Sequence, residues 1–318
     1  MKKFFQKKNK VLPLKSIYFS IIFLKDWKII KVSKKDSKKY LQNQLTADMN
    51  LLNDKKYIFC GHCNDKGKVW STLLVFKKNK SYFYILRKSV KNTQIKAIKK
   101  FSIFFQVKIL EQKSFILLGV LGNYSYYYLK KFFKNLPNKK NPVMHFKNMT
   151  IIYINKLIKK YILIMSYKKA LFFIKFFKNI ALFNDSKQWL SIEIEEKFPI
   201  IEKKNMLNFF PQEISLHKFK KGISFNKGCY IGQEQITKIK YKKINKKSLY
   251  ILFCKNVKNH FFPGDLVYVK IRNSWIKKGI LLSSVIINKK KIYAQIVLNK
   301  IYKNEKLYKI KNSYFYKI

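Results

Sequence analysis

Acidic residues are scarce in this chain, and arginine, glycine, proline and cysteine are scarcer still. Only 15 Asp and Glu stand against 70 Lys and Arg, a formal net charge of +55 at pH 7. A surplus of that size would ordinarily point to nucleic acid or an anionic membrane. Almost all of it is lysine, since Arg87 and Arg272 are the only arginines, and the lysines recur along the whole chain without clustering. With abundant Phe, Tyr, Ile and Asn, this is the profile of A+T-biased coding. It predicts sequence-indifferent, electrostatic affinity for nucleic acid and no dedicated interface. The cysteines, Cys60, Cys63, Cys229 and Cys254, are too few for a disulfide scaffold and suit a reducing cytoplasm. No apolar run is long enough to span a bilayer. The run Ser16 to Leu24 follows a basic start but meets Lys25, Asp26 and Trp27 with no small-residue cleavage site, so it reads as a buried strand. No membrane partner and no metal site are expected.

What is present is an apolar fraction of 48% in 318 residues, enough to bury a large core in one or two domains. Residues 1–15 are basic and read as a frayed terminus. Short strands separated by the turn at Lys25-Asp26 follow. A helix capped by Asp36 or Ser37 carries Tyr40 and Leu41 on its apolar face. A hairpin runs from Tyr57 to Phe76 through the turn Asn64 to Lys68, where Gly67 supplies positive φ. Inside its first strand lies Cys60-Gly61-His62-Cys63, the string of disulfide isomerases. That chemistry needs a helix immediately after the cysteines to lower the first thiol's pKa. A turn and a strand follow instead, so the structural reading is favoured. Further on, strands and helices alternate to about Glu196, in the manner of an α+β body. Gly119 and Gly122 end an apolar strand and read as turn residues. Glu193, Glu195 and Glu196 read as a solvated helix face paired with lysines. From about residue 244, short β runs between turn signals suggest a small antiparallel barrel.

Two of the nine glycines, Gly228 and Gly232, fall within five positions of each other and bracket Cys229. They predict a tight turn that a ligand or another strand can approach closely. If the segment is extended, Lys227 and Cys229 share a face, and an ammonium beside a thiol favours the thiolate. The other reading of Cys229 is a small buried hydrophobe packed behind the turn.

The run Gly222-Ile223-Ser224-Phe225-Asn226-Lys227-Gly228-Cys229-Tyr230-Ile231-Gly232-Gln233-Glu234 resembles the signature of the YgfZ-type folate-binding proteins, relatives of the glycine cleavage aminomethyltransferase (T protein). Three further blocks are similar to the same family: Tyr40 to Asp48, His62 to Ser71, and Phe209 to Glu213. Asn43 stands where the family usually has glycine, and asparagine tolerates left-handed torsions well. The resemblance implies an α+β, aminomethyltransferase-like folate-binding body of interlocked subdomains, here 16–243, and a C-terminal antiparallel β-barrel, 244–318.

The resemblance also implies a cytoplasmic, monomeric accessory protein that binds tetrahydrofolate or a derivative. Such a protein supports tRNA thiomethylation through assembly or repair of iron–sulfur enzymes. Two alternatives are a folate-dependent one-carbon transferase and a basic, non-specific RNA-binding protein. By motif, Trp27 and Trp189 match the family's folate-contacting tryptophans. Cys229 with Lys227 is the candidate reactive or ligating thiol, within the signature residues Lys227, Gly228, Cys229, Tyr230, Gly232, Gln233 and Glu234. Cys229 is expected at the edge of the folate cavity. The transferase reading also requires a carboxylate at the folate nitrogen, for which Asp48 is a guess.

Overall fold

The computed structural model describes residues 2–5, 10–255, 259–287 and 291–318. In chain order, α1 (Lys2–Phe5) and β1 (Ser20–Phe23) come first. Then come β2 (Trp27–Ser33), α2 (Ser37–Gln44), β3 (Tyr57–Cys63), β4 (Val69–Lys78), β5 (Ser81–Arg87), α3 (Lys91–Lys99) and β6 (Lys108–Glu111). A third group is β7 (Phe115–Leu121), α4 (Ser125–Phe132), β8 (Val143–Phe146), β9 (Met149–Asn155), β10 (Lys159–Ser166), α5 (Tyr167–Phe176), β11 (Leu182–Asp185) and α6 (Ser186–Glu195). After an irregular stretch come α7 (Gln233–Tyr241) and the strands β12 (Lys247–Lys255), β13 (Leu266–Ile271), β14 (Ser274–Ile287), β15 (Lys291–Asn299), β16 (Tyr308–Ile310) and β17 (Ser313–Lys317).

The strands form a six-stranded sheet in the order β11-β1-β7-β10-β9-β8, a five-stranded sheet in the order β3-β4-β5-β2-β6, and a closed barrel, β12-β15-β14-β13-β16-β17. Only β1 and β11 pair in parallel; the other pairings among the described residues are antiparallel. The chain enters the larger sheet at β1, leaves to build the whole five-stranded sheet, and returns at β7. The two sheets are therefore interlocked, and the turn at Lys25-Asp26 is the crossing point.

Strand periodicity divides the apolar residues between cores. On β7, Leu118 and Val120 face the layer formed with α4 and α5. Leu117 and Leu121 face the core shared with the second sheet, α6 and the barrel. Gly119 lies on that same face in mid-strand and is no turn residue. A Cβ there would sit 2.5 Å from Cε3 of Trp189, so the indole occupies the space a side chain would need. Gly122 does lie in a turn, with φ +126°.

Residues 1 and 6–9 of the N-terminal stretch lie outside the described residues. Its apolar residues Phe4, Phe5 and Val11 to Leu14 are at least partly buried, where a frayed terminus was expected, while Lys10 and Lys15 are exposed. Phe5 meets Phe183 edge-on with centroids 5.5 Å apart, Val11 is buried, and the Leu12 amide donates to Gln188 Oε1 at 2.7 Å. Apolar residues between the lysines supply the reason. No helix among the described residues is long and apolar enough to cross a membrane.

Candidate functional site

Four stretches distant in sequence meet around one end of β3. Thr46 Oγ1 donates to Gly222 O at 2.6 Å and accepts from the Gly61 amide at 2.9 Å. Ser224 N–H donates to Thr46 O at 2.8 Å, Ile231 N–H to Asn43 O at 3.0 Å, and Val69 N–H to Phe209 O at 2.9 Å. Asn43 is an ordinary helical residue of α2, so left-handed tolerance plays no part there. Gly232 has φ +80°, and a Cβ on it would sit 2.4 Å from Asn64 O and 2.7 Å from Gly67 Cα. The β3–β4 turn and the signature turn are thus back to back, and both glycines are needed for the contact.

Lys227 is the pin of this assembly. Its ammonium donates to the carbonyls of Gln42, Leu45 and Ala47, the last at 2.9 Å. These lie in and just after the last turn of α2, where helix carbonyls lack internal partners. Burial draws the Lys227 pKa down to about 8, which leaves the ammonium the major form at neutral pH. The extended segment that would set Lys227 beside Cys229 is absent. Gly228, at φ +87°, turns the chain between them, and all three ammonium protons are committed to carbonyls.

Cys229 itself is exposed, unlike Cys60, Cys63 and Cys254. With Tyr230, Gly232, Gln233 and Glu234 it lines a cleft of about 530 Å³. Gln44, His62, Cys63 and Trp70 complete much of its wall. Burial pushes the Cys60 thiol up to about 12 and raises that of Cys63 as well, which opposes thiolate formation in the Cys-Gly-His-Cys string. All four residues of that string lie in β3 and no helix follows, in keeping with a structural role.

A second cleft, of about 650 Å³, opens at the other end of β3. The rings of Tyr57, Phe59, Phe198 and Phe219 contribute to its wall, with Phe59 and Phe198 centroids 4.6 Å apart. Glu193, Glu196 and Lys160 form its buried polar part, and Lys56, Lys139, Lys156, Lys218, Lys220 and Lys221 add cationic groups. Glu196 Oε2 pairs with the Lys160 ammonium, and both side chains are almost wholly enclosed. Glu193 Oε1 accepts from Trp189 Nε1 at 2.8 Å, while its Oε2 is buried with no partner among the described residues. Burial pushes the Glu193 pKa up to about 7, against the lowering influence of Lys160 and of the indole hydrogen bond.

The two tryptophans are brought into one core but offer no open face. Trp189 is 1% exposed and Trp27 6%, and neither indole lines either cleft. Trp189 acts on the larger cleft through Glu193. The Arg87 guanidinium lies 4.3 Å from the centre of the Trp27 ring and pairs with Glu202. Nor does Cys229 border the larger cleft. Phe59 and His62, on β3, belong to different clefts, and three residues of strand separate them by about 10 Å. Asp48 lines neither cleft; its carboxylate accepts from Asn50 N–H at 2.9 Å and Gln42 Nε2 at 3.0 Å.

Sequence reasoning missed Tyr57, Lys160 and Glu193 as cleft residues and placed the glutamates in solvent. One signal was available: Ile192 and Ile194 alternate with Glu193, Glu195 and Glu196, so apolar residues surround the helix and its acids cannot all face water. No group of three or more His, Cys, Asp or Glu side chains among the described residues is placed to hold a metal ion.

Comparison with known proteins agrees with this architecture. Residues 245–313 match the family model described as YgfZ, beta-barrel domain. The chain is 37% identical to the tRNA-modifying protein YgfZ of Buchnera aphidicola subsp. Schizaphis graminum, over 95% of this chain and 94% of that protein. It is 39% identical to the protein of the same name from Buchnera aphidicola subsp. Acyrthosiphon pisum, over 98% and 97%. In fold it is similar to the glycine cleavage system aminomethyltransferase T from Bartonella henselae, with a TM-score of 0.77 at 11% identity, over 96% of this chain and 86% of that one. With more than a third of its residues shared over nearly its full length, the chain belongs to the YgfZ family of tRNA-modifying proteins.

Proposed function

We propose that this protein binds a tetrahydrofolate derivative in the lysine-rimmed cleft and supports tRNA modification. The observation that carries the reading is the buried, unpartnered Oε2 of Glu193, set in a cleft with aromatic walls. A pterin ring presents a ring N–H and an exocyclic amino group side by side, a donor pair that a carboxylate accepts well. Tyr57, Phe59 and Phe198 suit its flat faces. The anionic glutamate tail would meet the lysines around the cleft. A volume of about 650 Å³ is ample for such a ligand.

The link to tRNA rests on the family's names, and the iron–sulfur link on the signature's resemblance. In this reading the chain assists the assembly or repair of an iron–sulfur enzyme that thiomethylates tRNA. Asp48 gives the alternative of a one-carbon transferase no support, since its carboxylate is spent on a turn away from the cleft.

Calorimetric titration with folinic acid tests the site. Wild type is expected to bind, with Glu193→Gln weaker by about ten- to a hundredfold. Equal affinity in both proteins would remove the assignment. Complementation of thiomethylated-tRNA levels in a bacterium lacking its own counterpart tests the cellular role.

A further inference from the structure

We infer that the cleft containing Cys229 is a second ligand site that accepts a nucleobase, carried by a free nucleoside or by single-stranded RNA. Its floor holds polar groups left open in a way folded proteins rarely tolerate. Gln44 Oε1 and the Tyr230 hydroxyl are both without partners among the described residues. Both residues are more than nine-tenths buried, at 3% and 7% exposure, and both line the cleft.

His62 adds a third open group. Tyr84 OH donates to Gln94 Oε1 at 3.1 Å, so the Gln94 amide nitrogen faces His62 Nδ1, 3.3 Å away, as donor. The imidazole proton is thereby placed on Nε2, which has no acceptor among the described residues. Burial drives the His62 pKa down to about 3, so the ring is neutral at physiological pH. Tyr230 is likewise held neutral, burial raising its pKa.

The floor therefore offers an acceptor, a donor and a hydroxyl that can serve as either, with no charge among them. Such a surface disfavours an ion and suits a neutral ligand with both donors and acceptors on its edge. The rings of Trp70 and Phe101 in the wall suit a flat one. A nucleobase combines these properties. At about 530 Å³ the cleft holds a nucleoside with room to spare. The wall sets Lys100 against the carboxylates of Asp65 and Glu234, so attraction to the phosphates of an RNA strand comes from the chain's surplus of 55 positive charges. The larger cleft differs, having a buried carboxylate and a buried ion pair at its base.

Cys229 supplies the readout, because it is the exposed cysteine of the four. Its alkylation by iodoacetamide would be followed by mass spectrometry with adenosine, guanosine, cytidine, uridine or a mixed-sequence RNA octamer, at physiological salt. At least one nucleoside, or the octamer, is expected to slow alkylation, while folinic acid leaves it unchanged. Protection by a nucleoside would show that the base suffices; protection by the octamer alone would show that phosphate contacts are also needed. Gln44→Met and Tyr230→Phe are each expected to raise the protecting concentration about tenfold, the loss of one hydrogen bond to a buried partner. Tyr230→Phe keeps the ring and holds the fold if Gln44→Met does not. Absence of protection by every nucleoside and the octamer, or protection equal in wild type and variants, would overturn the proposal. Equal protection by folinic acid would overturn it too.

Discussion

The two clefts share one strand and differ in what they leave unpaired. At the Tyr57 end of β3 the open groups are two carboxylate oxygens, Glu193 Oε2 and Glu196 Oε1, with a buried lysine close by and further lysines around them. At the Cys63 end the open groups are an amide, a phenol and a neutral imidazole, beside an exposed thiol. The difference follows from what packs against the strand. The first end meets α6, whose glutamates are buried beside Lys160. The second meets α2 and the signature, whose lysine, Lys227, is consumed by backbone carbonyls. One sheet thus supports a site with charged groups buried at its base and one whose buried open groups are neutral, and substitutions should separate them.

The largest effect is expected from Lys160→Met. It leaves the enclosed Glu196 carboxylate without its cation and should cost roughly 3–5 kcal/mol in urea unfolding. A loss below about 1 kcal/mol would mean that Glu196 is not held as an ion pair. Lys227→Met should follow, at about 2 kcal/mol, since three carbonyls lose a donor. It should disturb the reactivity of Cys229 and leave folinic acid affinity intact. If the reverse pattern appeared, the two clefts would be coupled.

Glu193→Gln should act on the other cleft alone, and its effect should depend on pH. The Glu193 pKa is raised from 4.5 to about 7, so the folded chain holds an extra proton between those values. Stability contributed by the protonated form is therefore lost as pH rises through that window, and the Gln variant should lack this slope. Folate affinity should move the opposite way in the wild type. The ionised carboxylate is the better acceptor, so affinity should fall as pH drops below about 7, by up to tenfold per unit. A flat affinity profile between pH 5.5 and 7.5 would exclude Glu193 as the contact. The smallest effect is expected from Cys60→Ser on insulin reduction: wild type and variant should be equally inactive, because burial holds both hairpin thiols protonated.

Much of the fold is legible in the residues. The turn at Lys25-Asp26, the hairpin around Asn64 to Lys68, the helix opening at Asp185-Ser186 and the barrel strands β12 to β15 all carry local signals. β16 and β17 carry no such signal, because three- and five-residue strands have too few positions to show alternation. The site was legible as motif and illegible as geometry. The signature marked Cys229 and Lys227, but its spacing could not show that Gly228 turns the chain between them. Trp27 and Trp189 were identified as a pair, yet only packing puts both behind the wall of a cleft. Glu193 read as solvated because local sequence does not reveal what covers a helix.

The sequence by itself determined most of the secondary elements and the order of the four motif blocks, since turn chemistry and periodicity are local properties; the interlocked body with its barrel was implied only by the resemblance those blocks carry. Tertiary structure alone decided which residues line the clefts at the two ends of β3 and which groups are open in each. Burial, hydrogen-bond pairing and the pKa shifts of Glu193 and His62 depend on neighbours brought from distant parts of the chain.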